Sequence, residues 1–241
     1  MTAGNWERAV REQVGLGRLL PLGAAADGTW IAERAAAGVL RRAAAGVREA
    51  RVTGLRVGPA DPGDAVDPEA ACGRTGAGAE VRYLGPRALG GARAVGPAPV
   101  SALPYGELRI SVQCDAGVER PMTTTAAALR EALLRGAEEG LGLRVAAVDV
   151  HVAGLLETPQ NAAEPAPGGP PGDPPPARET ARPGHAAPDV PGLLGSDVLP
   201  DGDHAEVRVV LDSAHRALDV ARAVRAGTEA AAVTVLVTDI R

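Results

Sequence analysis

The chain has 241 residues, and all 25 of its basic residues are Arg; Lys is absent, and so is Phe, a joint depletion that points to a GC-rich genome. The missing lysine excludes a P-loop lysine, a Schiff-base lysine and a Ser-Lys dyad, and two Trp with two Tyr leave the core to Val, Leu, Ile and Ala. A formal net charge of −5 with so few aromatics speaks against nucleic acid as a partner.

In chain order, Trp6, Val10 and Val14 recur at i, i+4 and i+8 between charged residues, which predicts a short amphipathic helix over 4–14 ended by Gly15 and Gly17. Leu19 and Leu20 follow. The stretch Met1 to Gly15 is polar and unlike a signal peptide, and no segment has the apolar length of a membrane span, so the expected setting is the reducing cytoplasm. Asp27-Gly28 signals a turn, and Thr29, Trp30 and Ile31 predict a brief strand or helix cap. A helix over 32–45 would bury Ala36, Val39, Leu40, Ala43 and Val47 and leave Arg34, Arg41 and Arg42 in water. Ala50 to Val57 reads as the following strand.

Residues 58–106 hold seven Pro and ten Gly, a composition that favours an irregular insertion, with a short hairpin element around Val81 to Leu84. Leu108, Ile110, Val112 and Cys114 alternate with Arg109, Ser111, Gln113 and Asp115, the pattern of a strand with one wet face. Pro121 and Thr123 to Thr125 supply helix-start chemistry, the hydroxyls being able to accept first-turn amides. The helix is expected to run to Glu139 with Leu129, Leu133, Gly136 and Ala137 inward and an i, i+4 pair of Glu131 with Arg135 outside. Arg144 to Val152 then forms a strand with Val148, Val150 and Val152 inward and Asp149 and His151 outward. Residues 157–204 carry twelve Pro and seven Gly and read as an acidic linker without structure. Val207, Val209 and Leu211 form a further strand, Ser213 caps a helix bearing Ala214, Ala217, Leu218, Ala221 and Val224, and Val233 to Val237 closes the chain.

The helix-then-strand pattern occurs three times and predicts an α+β fold: a two-layer sandwich of βαβ-type units, with helices on one face of a mixed sheet. Its parts are an N-terminal helix and turn over 1–28, a first unit over 29–57, an insertion over 58–106, a second unit over 107–156, a disordered linker over 157–204 and a third unit over 205–241 on the same sheet.

Little chemistry is written into these residues. His151, His185, His204 and His215 lack metal-ligand spacing, with His185 and His204 placed in the linker. Ser111, Ser196 and Ser213 lack a nucleophile elbow. Gly76-Ala77-Gly78 starts like a dinucleotide loop, but Val81 stands where the third glycine belongs. Gly73-Arg74-Thr75-Gly76 is a G-x-x-G only by letter. Cys72 and Cys114 are distant and do not predict a disulfide. No catalytic residue, metal site or cofactor is expected. Trp6, Val10, Val14, Leu19 and Leu20 form the candidate partner-binding stripe, the alternative being that the helix packs over the sheet.

Two blocks resemble the alkaline-shock, or envelope stress response, family of small bacterial proteins. The first is Thr29-Trp30-Ile31-Ala32-Glu33-Arg34 through Leu40 to Val52, and the second runs from Glu107 to Leu155, with its Leu108-Arg109-Ile110-Ser111-Val112 strand, Pro121-started helix and Gly140-Leu141-Gly142 helix-to-strand closure. The N-terminal helix, the two insertions and the third unit depart from that pattern; they resemble proteins of high-GC Gram-positive bacteria labelled nucleopolyhedrovirus p-ten-like, a label that reads as a low-complexity coincidence. The family resemblance implies a non-enzymatic protein near the inner face of the cell membrane, acting through a membrane-anchored protein partner or by homo-oligomerisation; charge and apolar length, for their part, predict neither a nucleic-acid partner nor a transmembrane segment. A small-ligand-binding or degenerate enzyme domain is the alternative reading, and an RNA-binding module the second.

Overall fold

A computed structural model of the chain describes residues 17–60, 94–99, 101–156 and 188–241. The expected helix over 4–14, the element around Val81 to Leu84, Cys72, His185 and most of the 157–204 linker lie outside the described residues.

The strands and helices follow in the order β1 (Leu19–Pro21), β2 (Thr29–Ala32), α1 (Glu33–Ala45), β3 (Ala50–Pro59), β4 (Ala94–Val95), β5 (Leu108–Gly117), α2 (Met122–Arg135), β6 (Val145–Leu156), β7 (Leu193–Asp201), β8 (His204–Leu211), α3 (Ala217–Gly227) and β9 (Ala232–Ile240). This is an α+β fold. The expected single sheet is instead two sheets. The larger has the order β1-β2-β9-β8-β7, with β4 also on β9, and the smaller has the order β3-β5-β6. The second unit, β5-α2-β6, therefore belongs to a different sheet from the third, β8-α3-β9; within each unit the two strands are parallel.

The reason lies in α1. Ala35, Ala36 and Ala37 are all buried, together with Leu40 and Ala44; three consecutive buried positions span about 200° of a helix circumference, more than one stripe. With side chains as small as alanine on both flanks, α1 packs on β3 of the smaller sheet and on β9 of the larger one. Both sheets share one continuous aliphatic core. Arg34, Arg41 and Arg42 stay exposed, as a solvated helix face requires.

α2 continues into a π-helical turn, Gly136–Leu141. Gly136 lets it come close to α1, since a Cβ there would stand 2.8 Å from the Ala43 Cβ. The expected hydroxyl caps do not form at the start of α2. Pro121 is its N-cap and its carbonyl accepts from the amides of Thr124 and Thr125, while the Thr125 hydroxyl is buried without a hydrogen-bond partner. α3 begins at Ala217 rather than beside Ser213, whose amide instead donates to the Arg241 carbonyl at 2.6 Å. Ala214 is exposed, whereas Ala217, Leu218, Ala221 and Val224 are buried as the periodicity requires.

Two stretches expected to be irregular carry structure. Leu193–Asp201 is a strand paired antiparallel to β8 from Asp201↔His204 onward, so Gly202 and Asp203 make a two-residue hairpin turn with Gly202 at φ +60°. His204, at the start of β8, is half-buried, with its Nε2 2.9 Å from the Thr234 hydroxyl. The end of the 58–106 insertion covers the larger sheet. Tyr105 packs against the buried Trp30 with ring centroids 5.0 Å apart and donates from its hydroxyl to the Thr29 carbonyl at 3.2 Å. Leu19 and Leu20, members of the candidate partner-binding stripe, are fully buried in β1. A strand bonded to β2 on one side and to residues 101–103 on the other, and packed on the core, leaves no room for them at a surface.

Candidate interaction edge

The strand orders of the two open sheets end in four strands, β1 and β7 on the larger and β3 and β6 on the smaller, beside the two-residue β4, which among the described residues pairs with β9 alone. An outer strand presents unpaired amides and carbonyls, and natural proteins cover or interrupt them. Three of the four edges are treated in that way.

On β1, the Leu19 amide donates to the Ser101 carbonyl at 3.1 Å and the Leu19 carbonyl accepts from the Leu103 amide at 2.8 Å. β7 carries Asp197 and Pro200, and its register shifts between Leu193 and Gly195. On β3, the Val57 amide donates to Glu33 Oε1 at 3.2 Å and the Val57 carbonyl accepts from Arg18 Nη2 at 2.6 Å. Arg18 and Glu33 are themselves an ion pair at 3.5 Å, so one pair of charges satisfies both edge groups of that residue. A bulge between Val52 and Gly54 interrupts β3 further along.

β6 differs. The Leu108 amide donates across to the Arg144 carbonyl at 2.8 Å, so Leu108, Ile110, Val112 and Cys114 turn their backbone groups toward β6. In a parallel ladder the residues registered with them, Val148, Val150 and Val152, then turn theirs away from β5, toward the open side. Arg130 of α2 donates to the Val148 carbonyl at 3.1 Å. Among the described residues nothing else caps this stretch. β6 is twelve residues long with four valines, no proline and a single carboxylate, Asp149. Leu155, near its end, is 57% exposed. Length, valine content and hydrogen-bonding groups left open by the described residues together make it the candidate pairing edge.

The outward face of the smaller sheet is polar, as the alternation of β5 requires. Arg51 is bonded to Asp115 at 2.9 Å and Arg109 to Asp149 at 3.0 Å, leaving Arg56, Ser111, Gln113 and His151 exposed around them. Two of its three arginines are thus engaged by carboxylates, which lowers the positive potential that a phosphate backbone would seek.

Away from this face, an ion pair ties α3 to the turn before β2. Arg222 of α3 grips Asp27 with two parallel bonds, Nε to Oδ1 at 2.8 Å and Nη2 to Oδ2 at 3.0 Å, and the Ala24 amide adds a third at 2.7 Å. Partial burial raises the affinity of Asp27 for a proton, but the Arg222 bonds, the Ala24 amide and the charges of Arg222 and Arg225 outweigh it and hold the carboxyl below its usual range. The folded value lies below the unfolded one, so the contribution of Asp27 to stability is fully present above about pH 4 and is lost as the pH falls through the folded value. Asp27→Asn should therefore flatten the acid limb of stability below about pH 4, by under about 1 kcal/mol because Arg222 is half exposed; urea titrations at pH 3 and pH 6 check it, and an unchanged pH slope counts against the pair. Cys114 is a buried free thiol facing the helices, its pKa raised by burial and by Asp115. That makes it a core residue, not a nucleophile.

No group of three or more His, Cys, Asp or Glu among the described residues is placed to hold a metal ion, and no described helix is long and apolar enough to cross a membrane. Of the five expected partner-binding residues, Leu19 and Leu20 are core, and Trp6, Val10 and Val14 lie outside the described residues. Arg18, Glu33 and Arg130, the side chains that cap strand edges, were not expected from the sequence. Arg18 and Val57 are 39 positions apart, and no local pattern links them. Compared with known proteins, the chain matches no family model, no curated protein and no solved structure.

Proposed function

We propose that this protein is a non-enzymatic binding protein that works through a sheet edge, by self-association or by pairing with a membrane-associated protein, in the manner that the resemblance to the envelope stress response family implies. The observation that carries this reading is the contrast between β6 and the other three end strands: backbone caps or a proline sit within the others, whereas β6, capped only at the Val148 carbonyl among the described residues, keeps the backbone groups of Val150 and Val152 directed outward between its irregularities at Ala146 and Ala153. Backbone pairing at such an edge supplies affinity, and the alternating side chains beside it supply selectivity. The N-terminal stripe of Trp6, Val10 and Val14 is the second contact surface of this reading.

Tagged full-length chain, recovered separately from soluble and membrane fractions and sedimented over a range of concentrations, tests it. The expected result is an oligomer or a stoichiometric complex with a membrane-associated protein. Recovery of a lone monomer from the soluble fraction at every concentration rejects it.

A further inference from the structure

The open edge of β6 is self-complementary in one register. Two copies of a strand that pair about a two-fold axis place some central residue opposite itself, and side chains on the same face then meet their counterparts at equal distances on either side. The ladder with β5 skips Ala146 and Ala153, so the regular stretch of β6 is Ala147–Val152. A two-fold at Val148 or Val152 runs at once into one of those bulges. A two-fold at Asp149 sets carboxylate against carboxylate, and one at His151 sets imidazole against imidazole.

The axis at Val150 has none of these defects. Val150 turns its amide and carbonyl outward, so it exchanges both bonds with its own copy, and Val148 does the same with Val152 of the second chain. The Val148 carbonyl, which already accepts from Arg130, has a second lone pair for this bond. Asp149 then faces His151 of the other copy, twice per dimer, on the exposed polar face. These are non-hydrogen-bonded pairs, the closer of the two kinds, with Cα atoms about 4.5 Å apart. Arg109, already bonded to Asp149 at 3.0 Å, lies at the rim of that contact. On the inner face the buried Val148 and the half-buried Val150 and Val152 meet valines.

We propose that a second copy of this chain adds antiparallel to β6 about a two-fold axis at Val150, joining two three-stranded sheets into one of six strands. This rests on the binding-protein reading above and assigns its edge, its partner and its register.

A cross-linking experiment reads the register directly. Full-length chain carrying Asp149→Cys is mixed with full-length chain carrying His151→Cys under a mild thiol oxidant, and the products are mapped by mass spectrometry so that bonds to Cys72 or Cys114 are told apart. The expected result is a disulfide between positions 149 and 151 in the mixture and neither a 149–149 nor a 151–151 bond in the separate samples. The untouched Asp149 and His151 of the mixed dimer still face each other, so the pairing force is half preserved. A 151–151 or 149–149 bond overturns the register.

In parallel, Val150→Pro removes an amide that β5 does not use, so the internal ladder is kept while the outward bond is lost. Its expected result is loss of self-association in sedimentation with the circular dichroism spectrum retained. Association that persists in Val150→Pro, without the mixed disulfide, overturns the β6 dimer but leaves the binding-protein reading in place. A monomeric wild-type chain that captures a different protein through β6 overturns the second copy as occupant and leaves that reading standing. A monomer that captures nothing overturns both.

Discussion

Leu40→Ala is expected to lower the stability of the whole molecule by about 2–5 kcal/mol, a fall in Tm of roughly 5–15 °C for a chain of this size. Leu40 is fully buried on α1, the helix that packs on β3 of one sheet and β9 of the other. Its removal leaves a hole that the surrounding side chains fill poorly, because the flanks of α1 are alanines with no length to spare. The particular test of this architecture is hydrogen exchange. Amides of β5 and of β9 should lose protection by the same free energy, since one continuous core joins the two sheets. Loss confined to β5 would show that the sheets open independently and that α1 does not couple them. Val39→Ala, at a half-buried position on the same helix, is the control and should cost clearly less.

The parts of the fold legible in the sequence are those in which burial is periodic. The alternation of Leu108 to Cys114 marks β5, the Leu129 and Leu133 spacing marks α2, and Asp149 and His151 stand on the wet face as their parity requires. β7 was missed because its proline, its two-residue turn and its acidic neighbours resemble linker composition. The Gly202-Asp203 pair beside the alternating residues of β8 is the hairpin signal the sequence offers. The division into two sheets was hidden for a different reason. Alanine counts as weakly apolar in a periodic pattern, so a helix buried on two flanks by Ala35, Ala36 and Ala37 looks like one buried on a single stripe. As for the candidate site, the valine run of β6 and its two outward ionisable residues were visible, but its exposure as an edge was not. Which strand lies outermost depends on pairings between residues far apart in the chain, from Leu108 with Val145 to Ala50 with Ala116, and the Arg18–Glu33 cap on β3 depends on a loop and a helix meeting a strand far along the chain.

Gly142→Val is expected to destabilise by about 3 kcal/mol, through two separable causes. Gly142 ends the π-helical turn at φ +86°, a left-handed conformation that costs an L-residue about 1–2 kcal/mol, and a β-branched residue adopts it least readily. A Cβ at this position would also stand 2.6 Å from the Leu218 Cβ and 2.9 Å from its Cδ2, and since a new rotamer does not move Cβ, α3 must retreat from the end of α2. Overpacking of that kind adds about 1–3 kcal/mol. Gly202 provides the comparison, since it has φ +60° in the β7–β8 turn with nothing within 4 Å of its would-be Cβ. Gly202→Val carries the backbone cost alone. Urea titration of both variants should therefore place Gly142→Val below Gly202→Val by the cost of the clash. Leu218→Ala in the Gly142→Val chain should not recover that difference, because alanine keeps the Leu218 Cβ, the nearest atom at 2.6 Å, and the change empties a buried site. Equal losses at the two glycines would mean that α3 yields freely at this contact. The packing of α3 on the end of α2, where Arg216 also donates to the Glu138 carbonyl at 3.0 Å, would then add little to the fold.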